Sequence, residues 1–234
     1  SQRFDAIESF AADVAHELKN PLTSLRSAVE TAARIKDPDQ QRRLMDVIQD
    51  DVKRLDRLIS DISDASRLDA EMSRDESDKI ELNRMLAAVV EVHHTSGSRG
   101  DGKIAFEETS KGPFPILGNQ GRVVQVLQNL ITNAVSFSPL EGLVMVRIGR
   151  DRDWVVVTIE DDGPGIPPGS LEKIFDRFYS ERPDTEQFGT HSGLGLSISR
   201  QIVAAHQGTI EAENRTDLHG KVLGARFIVR LPAS

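Results

Sequence analysis

Four short stretches gather residue types that could do chemistry. In the first, FAADVAHELKNPLTSL at 10–25, residues set 100° apart place Phe10, Val14, Leu18, Leu22, Leu25 and Val29 within about a third of a helix circumference. His16 points away from that stripe beside Glu17, Thr23 shares its outward line, and Lys19 and Asn20 flank it. This is either a small chemical surface or a solvated pair on a charged helix. In the second stretch, Gln125, Asn129 and Asn133 stand one turn apart on a helical pattern. Asn is a poor helix former, and two stacked carboxamides offer neutral oxygens to a hard cation held chiefly by phosphates, as nucleotide-borne Mg²⁺ is; a merely solvated stripe is the alternative. The third, TIEDDGPGIP, ends a strand-like run at Asp161, and Gly163 and Gly165 let backbone approach a ligand closely. A carboxylate there can accept a hydrogen bond from an exocyclic amine such as adenine's, although the same pattern also makes a simple turn. In the fourth, SGLGLSIS at 192–199, Gly193 and Gly195 stand at a helix start, where free amides and the helix dipole favour phosphate. It lacks the third glycine and preceding strand of a dinucleotide fingerprint, and no Gly-Lys-Ser/Thr of a Walker loop occurs.

The elements that must position these residues divide in two. A first helix is expected from about 4 to 35, bent at Pro21. Asp37, Pro38 and Asp39 break it, and Pro38 suits the first turn of a second helix. There Met45, Val52 and Ile59 recur every seven residues, as do Ile48, Leu55 and Ile62, which is a heptad seam. Two helices alone cannot cover such a stripe, so the pattern predicts an all-α hairpin that pairs with a second copy as a dimeric four-helix bundle. The acidic run between Arg67 and Lys79 reads as a linker, giving a hairpin domain at 1–68, a linker at 69–78 and a second domain at 79–234.

Beyond it, strands are expected at 79–82, 103–107, around 116, at 143–149 and 154–160, and at 209–214 and 225–231, with helices at 83–94, 120–137 and 194–206. Val123, Val126, Leu127, Leu130, Ile131, Ala134 and Phe137 give the 120–137 helix its core face. Hairpins mixed with helices predict an α+β sheet with helices on one face. The roughly 25 residues between the two glycine sites include IFDRFY at 174–179 and suit a lid over a nucleotide.

Composition narrows the classes. The chain has 234 residues, 38% hydrophobic and 28% charged, as globular domains do, with no apolar run of bilayer length. Zero cysteines exclude disulfides and thiolate-bound metals and agree with a cytosolic setting. A formal charge of −8 argues against a nucleic-acid partner, which needs a basic face. The opening, without an initiator Met, reads as the interior of a longer protein.

In order and spacing these motifs resemble the catalytic core of sensor histidine kinases of two-component systems over essentially the whole chain. HELKNP from His16 resembles the phosphoacceptor box, Asn129 to Asn133 the N-box, Asp161 to Gly165 the G1 box, Phe175 to Tyr179 the F-box and Ser192 to Leu196 the G2 box. GlyAlaArgPhe at 224–227, with Leu231 and Pro232, resembles the closing strand. The wording around His16 and HSGLGLSISRQIV is most similar to the ChvG-type kinases of alphaproteobacteria. The resemblance implies an α+β two-layer sandwich of the Bergerat (GHKL) ATP-binding type after the hairpin. It also implies ATP bound through Asp161, Gly163, Gly165, Tyr179 and the amides of Gly193, Leu194, Gly195 and Leu196, with Mg²⁺ on Asn133 and Asn129. His16 would take the γ-phosphoryl group, Glu17 would orient its ring and accept its proton, and an aspartate of a response-regulator receiver domain would receive the group. Asn20 matches the position that aligns water for dephosphorylating the regulator, with Thr23 nearby. A homodimer is implied too, as is a cytoplasmic portion of an inner-membrane protein whose membrane segments lie outside this stretch.

The chain departs from the family where Ser136 replaces a common Lys, Ser180 a common Arg and His191 a common Gly; Arg177 or Arg182 is then the candidate cation at the γ-phosphate. Relatives of this nucleotide fold that hydrolyse ATP carry a Glu one turn before the Mg²⁺-binding Asn, where Asn129 cannot act as a base. A metalloprotease HExxH fails at Asn20. A scaffold that binds ATP without catalysis is the remaining rival. Arg182→Ala should lower autophosphorylation more than ATP affinity; unchanged turnover would dismiss Arg182 from the site.

Overall fold

A computed structural model describes residues 2–72, 77–95, 103–179 and 193–234, with side chains from residue 11, and to residue 67 in the first segment. The chain forms two compact units, one of residues 1–70 with 177–194 and one of 71–176 with 195–234.

In the first unit, α1 (Gln2–Ala32) and α2 (Pro38–Met72) are joined by a short turn. Helix α1 stops three residues short of the expected end and continues through Pro21, which is buried. Asp37 begins the next helix by accepting from the Asp39 N–H at 2.9 Å, with Pro38 as first helical residue. Helix α2 runs four residues into the stretch read as linker. Glu17 and Arg54 lie about equally far from the turn and pair at 3.5 Å, which fixes the two helices as antiparallel. Leu58 is wholly buried, yet Leu22, Val29, Met45, Val52 and Ile59 stay 44–55% exposed. One full set of heptad positions is thus uncovered in the single chain.

The second unit is a five-stranded sheet of order β2-β4-β5-β7-β6, with β2 (Lys103–Glu108), β4 (Leu143–Asp151), β5 (Trp154–Glu160), β6 (Thr209–Thr216) and β7 (Val222–Pro232). Strands β2 and β4 are parallel and the other neighbours antiparallel. A two-stranded ladder pairs β1 (Asp78–Glu81) with β3 (Pro115–Gly118). Along the strands every second residue is buried: Val144, Val146 and Ile148, then Val155, Val157 and Ile159, then Phe227, Val229 and Leu231. Onto that face pack α3 (Leu82–Thr95), α4 (Gln120–Phe137) and α5 (Gly195–Ala205). The result is the expected two-layer α+β sandwich. Helix α4 begins where Asn119 Oδ1 accepts from the Arg122 N–H at 3.1 Å, and it ends before Pro139. Six of its seven expected core residues are buried; Phe137, at the last turn, is only half-buried. His206 ties α5 to the start of α4, its Nε2 accepting from the Asn119 N–H at 3.0 Å while Nδ1 lies 2.7 Å from the Ile202 carbonyl.

The opposite face of the sheet carries a lattice of ions. Glu160, 6% exposed, faces Arg226 at 2.6 Å, Arg147 at 3.0 Å and Arg215 at 3.5 Å. Arg147 also meets Glu107 at 2.9 Å, and Arg226 meets Glu213 at 2.8 Å. Burial by itself would raise the Glu160 carboxyl, but the hydrogen bonds from Arg226 and Arg147 outweigh it and hold the group below its ordinary value of 4.5. A polar cavity of about 510 Å³ lies among these residues. Its arginines are already matched by carboxylates, so it is a structural lattice and not an open anion site. Because the folded state depresses this carboxyl, its stabilisation is present above 4.5 and is lost as pH falls through the lower folded value. Glu160→Gln should therefore be less stable than the parent in urea at neutral pH, with the two curves converging below that value; a gap that persists in acid would show that the lattice does not stabilise through charge.

Candidate functional site

Asp161 stands where β5 ends. It is 3% exposed, and its Oδ1 accepts two backbone hydrogen bonds, from Gly163 N–H at 2.9 Å and Ala225 N–H at 3.0 Å. Its own N–H donates to the Ala225 carbonyl at 3.0 Å. Among the described residues nothing donates to Oδ2, so the carboxylate is fixed through one oxygen and presents the other as an acceptor. Burial pushes its pKa above the ordinary 3.8 and outweighs the opposing backbone hydrogen bonds and the Arg215 charge.

The glycines of this loop are constrained by the protein itself. A side chain at Gly163 would press on the Phe137 carbonyl, its Cβ at 2.7 Å. Gly165 has φ +78° and sits against Asn214 and Val222. Packing against α4, β6 and β7 thus gives both positions a need for glycine that is independent of any ligand. From the neighbouring strand Gly224, at φ +150°, lies so close that a Cβ would overlap the Asp161 carbonyl.

On α4 the polar stripe Gln125, Asn129 and Asn133 is half-buried, not freely solvated. Asn129 Nδ2 donates to the Gly195 carbonyl at 3.1 Å and to Ser199 Oγ at 3.3 Å. Among the described residues the carboxamide oxygen of Asn129 has no such partner, and its nitrogen ties the stripe to the start of α5, where Gly195 and Leu196 are half-buried. In the other unit Gly193, at φ +73°, lies against the backbone of Phe178 and accepts from its N–H at 2.9 Å; Leu194 is fully buried. Arg177 is exposed and Tyr179 half-buried. Phe175, just before them, is locked in place by an edge-on contact with Phe227 at 6.4 Å and by the Arg200 guanidinium 5.5 Å over its ring. Ser180, Arg182, His191 and Ser192 lie outside the described residues.

On the hairpin His16 and Asn20 are exposed, one turn apart, while Glu17 is half-buried in its pair with Arg54. The Thr23 hydroxyl donates to the Lys19 carbonyl at 2.8 Å and so is committed to its own helix. Arg54, Asn214 and Arg215 contact candidate site residues and carry no motif by which sequence could single them out; Ser199, which meets Asn129, closes the SGLGLSIS stretch without having been given a role there.

Residues 118–234 match the family model for histidine kinase-, DNA gyrase B- and HSP90-like ATPases, and residues 6–71 the His Kinase A phospho-acceptor domain. The chain is 51% identical to the sensor protein ChvG of Rhizobium meliloti, over 99% of this chain and 41% of that protein. It spans about two-fifths of the length of the curated relatives it matches first. The catalytic domain of histidine kinase ThkA is 30% identical, with a TM-score of 0.58 over 68% of this chain and 96% of that one. Histidine kinase ThkA in complex with the response regulator protein TrrA shares the fold over 100% of this chain and 64% of that one, at 24% identity and a TM-score of 0.75. Among the described residues no helix is long and apolar enough to cross a membrane. With a phospho-acceptor hairpin followed by an ATP-binding domain of the ATPase family, the chain belongs to the sensor histidine kinases.

Proposed function

We propose that this chain uses ATP to phosphorylate its own His16 and passes the phosphoryl group to an aspartate of a response-regulator receiver domain. The observation that carries the reading is the Asp161 carboxylate, desolvated and held through one oxygen so that the other is left for a ligand's donor. That acceptor suits the exocyclic amine of adenine. The amide N–H groups of Gly193, Leu194, Gly195 and Leu196 take the phosphates at the start of α5, with Arg177, Arg182 and Tyr179 as further contacts to the nucleotide.

Asn133 and Asn129 fit Mg²⁺ by their chemistry: both offer neutral hard oxygens, and the amide nitrogen of Asn129 is already spent on Gly195 and Ser199. Bound with ATP, the ion would neutralise phosphate charge. His16 Nε2 attacks the γ-phosphorus, the bond from that phosphorus to the β,γ-bridging oxygen breaks, and ADP leaves with the electron pair. Nδ1 gives its proton to Glu17, and the phosphoramidate then transfers its group to the receiver carboxylate. Asn20 aligns water for the reverse task of dephosphorylating the regulator; Thr23 is the second candidate.

A homodimer completes the hairpin, because a second copy would cover Leu22, Val29, Met45, Val52 and Ile59. The division into a phosphotransfer hairpin at 1–68, a linker at 69–78 and a catalytic domain at 79–234 belongs to this proposal. So does placement as the cytoplasmic part of an inner-membrane sensor.

Incubation with γ-labelled ATP and Mg²⁺ should give acid-labile, alkali-stable label that is absent from His16→Gln; nucleotide binding without label would instead make the chain a scaffold. Asp161→Asn should lose ATP binding while keeping its fold, since it removes a desolvated charge and leaves an oxygen for Gly163 and Ala225. Because the carboxyl is raised above 3.8 and must be ionised to accept from the amine, ATP affinity should fall on acidification at higher pH than an ordinary aspartate would give. An affinity flat down to 3.8 would remove Asp161 from base recognition.

A further inference from the structure

Two neighbouring residues of β6 grip the 161–166 loop at its two ends. Arg215 Nη1 donates to the Asp161 carbonyl at 2.6 Å and to Asp162 Oδ1 at 3.0 Å. Asp162 in turn accepts from the Leu143 N–H through Oδ2 at 2.9 Å, and its N–H donates to Ser138 Oγ at 3.3 Å. At the far end Asn214 makes a reciprocal pair with Ile166, its Oδ1 accepting from the Ile166 N–H at 2.7 Å and its Nδ2 donating to the Ile166 carbonyl at 2.8 Å.

We infer that Asn214 and Arg215 are positioning residues for recognition of the nucleotide base, holding the loop so that the Asp161 carboxylate keeps the one orientation that accepts an exocyclic amine. The inference rests on the proposed role of Asp161. Neither residue touches that carboxylate; both act on the main chain that carries it. The Asp161 carbonyl has its donor in Arg215, and without it a shielded carbonyl would seek another partner by moving the loop. Arg215 is itself immobilised, its side chain 23% exposed and its Nε 3.5 Å from Glu160. The outer-face lattice thus reaches the base site through a single arginine.

Removing the guanidinium should blur base selection more than it weakens phosphate binding or chemistry. The test uses the full chain and compares ATP with inosine triphosphate, whose 6-oxo group accepts where adenine donates. Arg215→Gln should raise the ATP dissociation constant about tenfold and bring the ATP-to-inosine-triphosphate preference towards one. The KM for autophosphorylation should rise while the rate at saturating ATP is kept. Arg215→Lys, with one charged donor at the same place, should recover part of the preference; it also serves if the Gln variant does not fold. Arg230→Gln, which breaks the neighbouring Arg230–Glu211 pair at 3.0 Å without touching the loop, should leave the preference intact.

Folded Arg215→Gln with an unchanged preference, or with both nucleotides weakened equally, overturns the inference; so does a loss of preference in Arg230→Gln. An Asp161→Asn arm separates the two levels. If that variant keeps the preference, the reading of Asp161 itself falls. If it loses the preference while both Arg215 variants keep it, only the clamp falls.

Discussion

A carboxylate taken out of water is tolerable only where the protein returns the hydrogen bonds that water supplied. At Asp161 the return is partial. Two main-chain N–H groups satisfy one oxygen, the other is left to whatever enters, and the imbalance shows in a pKa raised by burial. Everything around that residue serves to keep the half-satisfied group still. Strand β7 supplies one of the donors, β6 supplies the side chains that hold the loop, and the close of α4 supplies Ser138 and the carbonyl that Gly163 must clear.

The two units solve positioning in different ways. The sheet domain holds its groups by ties between elements distant in sequence: the Asp161 carboxylate is fixed from β7, and the stripe on α4 is joined through Asn129 to Gly195 and Ser199 of α5. The hairpin does the reverse. Its histidine projects from a helix surface where little restrains the ring, and the fixed element is the neighbouring Glu17 with Arg54 across the turn. This contrast, a sheet domain tied together by its own side chains and a hairpin with an exposed histidine, suits the proposed division between holding a nucleotide and accepting its phosphoryl group.

Local signals carried much of this into the sequence. Helix α4 has the bounds its pattern gives because Asn119 caps one end and Pro139 closes the other, both within a turn of the helix. The strands alternate as their residues do, since one face is buried along the whole sheet. What sequence alone could not reach are interactions that exist only once strands are neighbours. Arg226 sits opposite Glu160 because β7 pairs with β5, and Arg215 meets Asp161 across 54 residues of chain. The same cause explains the glycines. Spacing marked Gly163 and Gly165 as unusual, but the atoms that forbid side chains there belong to Phe137, Asn214 and Val222, brought in from distant elements. Helix α2 outruns its expected end for the opposite reason: the acidic composition that reads as linker is also compatible with a solvated helix.

Gly224 has a consequence for variation at this site. The atom a methyl group would strike is a main-chain oxygen of Asp161, which has no rotamer in which to retreat. Even the smallest replacement must therefore displace a whole strand or the loop itself, so second-site suppressors of a change at 224 should be rare and should map to residues that let β7 slide, not to any that contact the nucleotide.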